Sequence, residues 1–313
     1  MTLLLVIIDA LVPIAFVILL GVLAGRSGLI APSVGGAFSV AVLDFCLPAQ
    51  LFNATATMST TGLPDWQFCV AIAIGLLAVY LVALGLALTL FHRTVDASSL
   101  QALNASFPNV AFIGIPVLTA VIGKSAVIPA VVGILISSLL LPPITLVLLA
   151  AGSPEQKGHT GVALIWGSVL GAVKQPLIWA PVLGIVFVLA HIPLPDVAQK
   201  SLTLIGEATS GLALFAMGLL LSGQKLRASG AVWLNVVFKN LAQPGAMWLL
   251  GLLLGVTGEH LRAMVLMGAL PTAPATAMFA MKYNVYTDES EATILLSTVA
   301  CVLTLGAIIA LTG

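Results

Sequence analysis

Charged residues are scarce in this chain of 313 residues: Asp, Glu, Lys and Arg make up 7% of it, whereas hydrophobic residues make up 60%. Soluble domains average roughly 25% charged residues, so this chain has too little charge to be solvated mainly by water. The formal net charge is zero, which argues against a nucleic-acid partner, because such partners require a basic surface. The composition therefore predicts an integral membrane protein whose main surroundings are membrane lipid.

The motifs of several enzyme classes are also absent. The chain contains no HExxH pair to bind zinc, no GxxxxGK[ST] loop to hold nucleotide phosphates and no GxSxG turn to present a serine nucleophile. Its cysteines, Cys46, Cys69 and Cys301, lie in apolar segments without CxxC spacing, as small core residues do. We therefore expect no enzyme activity, no metal and no cofactor.

Long apolar segments occupy most of the chain. About twenty apolar residues span the hydrocarbon core of a bilayer, and the sequence on this basis predicts an all-α membrane protein with ten transmembrane helices. A short interfacial helix at 162–173 is expected to precede the sixth span, and the first span has no basic segment typical of a cleaved signal. The predicted spans are 3–25, 34–56, 66–91, 97–122, 125–150, 162–190, 197–222, 230–256, 260–281 and 289–312.

Lysine and arginine are distributed unequally between alternate loops, with six on one side of the membrane and three on the other. Because loops rich in these residues stay in the cytoplasm, the first side is predicted to be cytoplasmic and both termini to face outward. The first set is Arg26, Arg93, Lys157, Lys225, Arg227 and Lys282, and the second is Lys124, Lys200 and Arg262.

Two predicted spans carry prolines near their middle. Pro108 lies in ASFPNVAFIGIPVL at 105–118, and Pro271 and Pro274 lie in GALPTAPATAMF at 268–279. A proline has no N–H for the carbonyl four residues before it, and a carbonyl without a donor in lipid costs several kcal/mol. Such a break persists only where protein buries it or where it lines a watery cavity. Both stretches are therefore candidate binding sites.

The helices that restart after the breaks favour an anion, because their first amides are unpaired and carry partial positive charge. Asparagine and threonine side chains nearby could add neutral hydrogen bonds, although Asn104 and the threonines could equally bond to freed carbonyls. Asn109 lies within its break, which favours substrate contact. The predicted substrate-binding residues are Asn104, Pro108, Asn109, Pro271, Thr272, Pro274 and Thr276.

Four polar residues lie at membrane depth outside the breaks. Asp44, Glu207 and Lys239 fall inside spans 2, 7 and 8, and Asn240 follows Lys239. A central charge in a span costs roughly 2.5 to 3.5 kcal/mol, so each should face protein or water. We predict that these four residues either relay charge during transport or provide a counter-charge to other groups. Lys239 could pair with an acid or with helix C-terminal ends, or it could extend to the interface, and the acids could instead be structural.

The two halves of the chain align without a gap when one is shifted by 163 residues. This shift superimposes Pro108 on Pro271 and Asp44 on Glu207. Residues 1–150 and 151–313 then form two five-helix repeats. Since five is odd, the repeats insert in opposite orientations, an arrangement that places the substrates of many secondary transporters near the membrane midplane.

Several motifs together resemble the auxin efflux carrier family, in its bacterial branch with malonate-transporter-like members: LPAQLF, SFPNVAFIGIPVL, ATSGLALFAMGLLLS, FKNLAQP, and GALPTAP followed by KYNVYT. The resemblance covers essentially the whole chain. It implies a fold like that of bile-acid symporters and sodium/proton antiporters, with spans 1, 2, 6 and 7 as a scaffold and spans 3–5 and 8–10 as a transport domain in which broken spans 4 and 9 cross. The plant motif Asn-Pro-Asn reads Phe107-Pro108-Asn109 here, which puts an auxin-like substrate in doubt.

The function implied by this resemblance is secondary active transport of a small organic anion such as malonate across the bacterial inner membrane, by alternating access. A homodimer is compatible with it, because the plant members are dimers. A cation/proton antiporter of the related fold and a carrier of auxin-like aromatic carboxylates remain alternatives, although the antiporter would need an acid in the breaks, where the sequence has none. A sensory or scaffolding protein would not need two breaks. Either sodium or a proton could be the coupling ion.

Overall fold

The computed structural model describes residues 3–58, 64–152, 166–167, 170, 173–223 and 229–312. In these residues all regular elements are helical, apart from one isolated β-bridge, so the predicted all-α class is confirmed. The α-helices are α1 (Leu3–Arg26), α2 (Val34–Ala41), α3 (Leu47–Ala56), α4 (Trp66–Thr89), α5 (Val95–Ser106), α6 (Ile115–Val121), α7 (Val127–Gly152), α8 (Pro176–Leu189), α9 (Asp196–Ser222), α10 (Gly230–Val237), α11 (Gln243–Leu253), α12 (Gly258–Ala269), α13 (Ala275–Tyr283) and α14 (Thr287–Thr312).

Five helical segments are long and apolar enough to cross a membrane, which supports a multi-pass membrane protein. They are Val34–Ala56, Trp66–Thr89, Lys124–Gly152, Asp196–Ser222 and Thr287–Leu311. The full count of ten spans stays a prediction. The predicted interfacial helix at 162–173 falls largely outside the described residues.

Three of the helical segments contain a π-turn directly before a proline-bearing helix. The π-turns are Val42–Cys46, Val110–Gly114 and Phe238–Ala242, and Pro48, Pro116 and Pro244 follow them at the second residue of the next α-helix. Pro48 and Pro244 have no N–H to donate to the carbonyls of Asp44 and Asn240, four residues before them. At each of these points the helical turn therefore includes one extra residue. The amide of Leu47 accordingly bonds to the oxygen of Val42, five residues back.

The chain divides into two compact units. The first contains the described residues of 1–65, 111–132 and 173–223, and the second contains those of 66–110, 133–172 and 224–313. Helices α1, α2, α3, α6, α8 and α9 therefore belong to the first unit, α4, α5 and α10 to α14 belong to the second, and α7 has residues in both. The unit boundary in the fourth predicted span falls directly after the break, between Val110 and Ala111.

Glycines bring two pairs of helices into backbone contact in the first unit. A Cβ atom on Gly21 of α1 would collide with the oxygen of Phe215 and lie 3.0 Å from the amide nitrogen of Leu219, both on α9. A Cβ atom on Gly184 of α8 would lie 2.7 Å from the oxygen of Phe52 and 2.9 Å from the nitrogen of Ala56, both on α3. Only glycine permits either approach. The two sets of residues differ by the same shift of 163.

Candidate functional site

The two predicted breaks meet in the second unit. Helix α5 ends at Ser106 and α12 ends at Ala269, and the residues after them, Phe107 and Leu270, are extended. The extended segments pair as an antiparallel β-bridge between Pro108 and Thr272. The amide of Asn109 donates to the oxygen of Pro271 at 2.9 Å, and the amide of Ala273 donates to the oxygen of Phe107 at 3.0 Å. Each break thus supplies hydrogen bonds that the other has lost.

Thr272 compensates for the helix bond that Pro108 removes. Pro108 cannot donate to the carbonyl oxygen of Asn104, four residues before it, and the Thr272 hydroxyl donates to that oxygen at 2.8 Å. The Thr272 amide in turn donates to the Ser297 hydroxyl of α14 at 3.1 Å. All three residues are buried. A hydroxyl from one broken helix therefore stabilises the other, which is the second interpretation that the sequence left open for the threonines.

The Asn104 side chain joins three helices behind the breaks. Its Oδ1 accepts from the Thr276 hydroxyl of α13 at 2.8 Å, and its Nδ2 donates to the Ser290 hydroxyl of α14 at 2.8 Å. Asn104, Thr276 and Ser290 are all fully buried. The polar groups of Asn104 and Thr276 are therefore used inside the second unit, where they position α13.

The remaining predicted residues of the breaks differ in exposure. Pro108, Asn109 and Pro271 are buried, whereas Pro274 and the first residue of α13, Ala275, are half-buried. Because the amides of Asn109 and Ala273 are used in the pairing, an anion in the second unit would have to approach the start of α13. There the amides of Thr276 and Ala277 donate to the oxygens of Ala273 and Pro274 at 3.1 Å each, so the partial positive helix end would attract the anion rather than these amides.

Span 8 places two side chains on the C-terminal ends of the broken helices. Lys239 Nζ donates to the oxygen of Gly268, near the end of α12, at 2.8 Å. Gln243 Nε2 donates to the oxygen of Ser106, the last residue of α5, at 2.8 Å. Both side chains are fully buried. For Lys239 the bond agrees with the predicted pairing with a helix end. Gln243 lies four residues after Lys239 but was not among the predicted site residues.

The other predicted polar residues have different surroundings. Asn240 Nδ2 donates to the oxygen of Ser297 at 3.0 Å, so this residue binds α14. Asp44 lies in a π-turn and is exposed. Glu207 lies in α9 and is also exposed. Within the described residues, neither acid has a Lys or Arg nitrogen within 4 Å. Glu207 lines a shallow surface cavity of about 440 Å³ with Asp196, Gln199, Lys200, Thr203 and Leu204.

Sequence reasoning also missed a cluster around Tyr286, which precedes α14. Arg93 forms an ion pair with Glu289 at 3.0 Å, and its guanidinium lies 5.5 Å from the centre of the Tyr286 ring. Asn235 of α10 donates to the Tyr286 hydroxyl at 3.2 Å. Burial raises the pKa of Tyr286, so its hydroxyl stays neutral at physiological pH. Arg93 and Glu289 are 196 residues apart, and no local pattern predicts their pairing.

No cluster of three or more His, Cys, Asp or Glu side chains suited to a metal occurs in the part of the chain that the structure describes. The groups at the breaks include amides, hydroxyls, the buried amine of Lys239 and the buried thiol of Cys301. The amides and hydroxyls are groups that can bind an anion through hydrogen bonds.

Comparison with known proteins adds the following similarities. Residues 6–309 match the model of a family described as membrane transport protein. The uncharacterized transporter YfdV of Escherichia coli (strain K12) is 31% identical over 303 residues, which cover 95% of each chain. A putative malonate transporter of Rhizobium meliloti (strain 1021) is 22% identical over 265 residues, covering 84% of this chain and 82% of the relative. Auxin efflux carrier component 3 of Arabidopsis thaliana is 26% identical over 130 residues, covering 39% of this chain and 20% of the plant protein.

Proposed function

This chain belongs to the membrane transport protein family, and from that premise we propose that it is a secondary active transporter of a small organic anion. The substrate binds where the two broken helices cross, and it crosses the membrane by alternating access. The observation that carries this proposal is the pairing of Phe107–Asn109 with Pro271–Ala273 in the interior of the second unit. A break whose backbone groups stay unbonded at membrane depth costs free energy. Two breaks that pair with each other are typical of a transporter's binding site, and a protein that is only anchored in the membrane does not need them.

The glycine contacts of the first unit support the inverted repeat on which alternating access depends. Gly21 approaches Phe215 and Leu219, and Gly184 approaches Phe52 and Ala56. Each residue of the second contact is related to one of the first by the shift of 163 that was read from the sequence. An internal repeat explains why corresponding residues make the same close backbone approach. These contacts therefore support the proposal that the two halves use the same packing scheme.

An anionic substrate is favoured by the charges near the breaks. The partial positive start of α13 follows the second break. No acid lies between Asp96 and Lys124 or between Arg262 and Lys282. This absence counts against the cation/proton antiporter, which needs a carboxylate at the crossing.

Among organic anions we favour a short dicarboxylate such as malonate. The support is the relative of Rhizobium meliloti, whose name is putative malonate transporter and which matches most of this chain. The plant relatives match over shorter segments, and Phe107 replaces the first asparagine of their motif. An auxin-like aromatic carboxylate is therefore the weaker alternative.

The proposed location is the bacterial inner membrane, with both chain termini outside. The bacterial relatives support the first part, and the unequal distribution of Lys and Arg between the loops supports the second. Asp44 and Glu207 are proposed to relay charge during transport, because both are exposed within apolar helices. A homodimer remains compatible with these features.

Uptake by the purified protein in proteoliposomes tests the function. Radiolabelled malonate should accumulate faster than in protein-free liposomes, and unlabelled dicarboxylates should compete better than indole-3-acetate. Asn109→Ala should lower uptake at least tenfold, because it removes the side-chain amide from the break. Thr89→Ala, at an exposed hydroxyl that bonds only within its own helix, is the matched control and should transport normally. Equal uptake by Asn109→Ala and Thr89→Ala would remove Asn109 from the site, and exchange of cations without any carboxylate flux would favour the antiporter.

A further inference from the structure

Helices α5 and α12, which lead into the two breaks, occupy equivalent positions in the two halves of the chain. Helix α5 covers Val95–Ser106 and α12 covers Gly258–Ala269, so each contains 12 residues. Both their first and their last residues are 163 positions apart, which is the shift that relates the two halves of the sequence. Each residue of α5 can therefore be compared with the residue of α12 in the equivalent place.

The two helices differ in polarity at equivalent buried positions. Three polar residues of α5 correspond to apolar residues of α12: Ser98 to Leu261, Gln101 to Met264 and Asn104 to Met267. Gln101 and Met264 are both fully buried. Because methionine is close to glutamine in length and shape, filling this space does not require an amide. The polar groups of α5 therefore need a reason other than packing.

Asn104 has such a reason, whereas Ser98 and Gln101 find no partner in the protein. The Asn104 amide is bonded to Thr276 and Ser290. Among the described residues, by contrast, nothing bonds to Gln101 Nε2, Gln101 Oε1 or Ser98 Oγ, although these three atoms are buried. Buried polar atoms in folded proteins nearly always have a partner, either in the protein or in an ordered water. A group outside the polypeptide is therefore expected beside these two side chains.

The Ser98 hydroxyl also differs from the other serine hydroxyls of its helix. Ser99 Oγ donates to the oxygen of Asp96, and Ser106 Oγ donates to the oxygen of Ala102, at 2.7 Å each. A bond of this kind to a carbonyl three or four residues earlier satisfies a buried serine locally. The Ser98 hydroxyl makes no such bond in the part of the chain that the structure describes. Since residues three apart are neighbours on a helix surface, Ser98 and Gln101 present their polar groups side by side.

The chemistry of these groups matches water. The Gln101 amide offers two N–H donors and a carbonyl acceptor, and the Ser98 hydroxyl can donate or accept. A carboxylate would use only the donors and a metal cation only the acceptors, whereas a water molecule uses both. Buried waters typically make about three hydrogen bonds to polar groups that have no other partner, which this pair can supply.

We infer that Ser98 and Gln101 bind an internal water in the second unit, beside the helix that leads into the first break. Helix α12 has no equivalent site, because Leu261 and Met264 offer neither N–H nor O–H groups. The two halves of the second unit thus differ in internal hydration. This inference goes beyond the proposed transport and depends on no substrate.

Thermal unfolding of the purified protein distinguishes a hydrated amide from a dry one. Gln101→Met places in α5 the residue that α12 has at the equivalent position. The variant loses the bonds between the amide and the water, so its Tm should fall by roughly 2 to 6 °C. Ser98→Ala should also lower the Tm, and the double variant should lose less than the sum, because both side chains bind the same water. Ser99→Ala, whose hydroxyl bonds only within its own helix, is the control and should change the Tm by no more than about 1 °C.

A higher Tm for Gln101→Met would overturn the inference, because it would mean that the amide is buried without a partner. A density map of the wild type at about 2 Å resolution should show a water within about 3.2 Å of both the Gln101 amide and Ser98 Oγ, and a map without it would also overturn the inference. Replacing sodium by N-methyl-D-glucamine should leave the wild-type Tm unchanged, whereas a fall that Gln101→Met abolishes would assign the site to a cation. If Gln101→Met does not fold, Ser98→Ala and the wild-type map decide the question.

Because none of these measurements uses a substrate, their failure leaves the proposal of anion transport standing, and a lack of uptake leaves the water site standing.

Discussion

The hydrogen bond from Thr272 to the oxygen of Asn104 should contribute more to stability than an ordinary threonine bond inside a helix. Thr272→Val keeps the shape of the side chain and removes the hydroxyl donor that replaces the missing N–H of Pro108. A buried acceptor left without a donor costs about 1 to 3 kcal/mol. Since each kcal/mol shifts Tm by roughly 2 to 4 °C in a chain of 150 to 250 residues, we expect a loss of about 2 to 12 °C in detergent.

The matched control is Thr298→Val. Thr298 is also buried, and its hydroxyl donates at 2.7 Å to the oxygen of Ile294, but that oxygen already accepts a backbone bond within α14. Its loss should therefore cost less than about 0.5 kcal/mol. Thr272→Ser, which keeps the hydroxyl, should retain most of the wild-type stability. Equal Tm values for Thr272→Val and Thr298→Val would refute the view that Thr272 compensates for the proline.

The remaining predictions concern packing and surface charge. Gly21→Ala and Gly184→Ala should each destabilise the protein by about 1 to 3 kcal/mol, because the added methyl group would collide with the backbone of the facing helix. Gly85→Ala, which meets no atom within 4 Å, should instead stabilise α4 by up to about 1 kcal/mol. Thermal unfolding of the three variants gives the sign, and a loss at Gly85→Ala equal to the other two would contradict the packing argument. Arg93→Ala should cost no more than about 1 kcal/mol, because the Arg93–Glu289 pair is partly exposed; a larger loss that raised salt does not reduce would contradict this.

The breaks themselves could be predicted from the sequence, because proline has a strong and local effect on a helix. Pro108 and Pro271 interrupt long apolar segments. A helix that continued through them would lose backbone hydrogen bonds, because proline has no N–H. The cost of a charge at membrane depth indicated that Lys239 needs a partner, and a helix end was one of the alternatives considered. In each case the physical requirement lies within one short stretch of chain.

The partners of these groups could not be predicted. The bridge joins Pro108 to Thr272, and no rule that reads neighbouring residues can tell that the Asn109 and Ala273 amides would be used in this pairing rather than directed at an anion. Thr272 was considered for substrate contact and for bonding to freed carbonyls with equal weight, and only the fold shows which carbonyl it reaches. Likewise, Tyr286 meets Asn235 and Arg93 only through tertiary contacts.

The π-turns are an intermediate case. The prolines that cause them, Pro48, Pro116 and Pro244, are visible in the sequence. A proline in a membrane-spanning helix can produce a kink, a break or a widened turn, and the choice depends on whether neighbouring groups can satisfy the carbonyls that it frees. Sequence reasoning can therefore locate the irregularity without determining its form.

Substrate protection of a single cysteine at the start of α13 tests the site most directly. In a background where Cys46, Cys69 and Cys301 are replaced, the Ala275→Cys variant should react with a charged methanethiosulfonate reagent, since Ala275 is half-buried at the break. Malonate, or whichever carboxylate gives the fastest uptake, should slow that reaction at least fivefold. It should not slow the reaction of the Met281→Cys variant, at an exposed position farther along the same helix. Equal rates with and without carboxylate at Ala275→Cys, in protein that transports that carboxylate, would place the substrate away from the crossing of the broken helices.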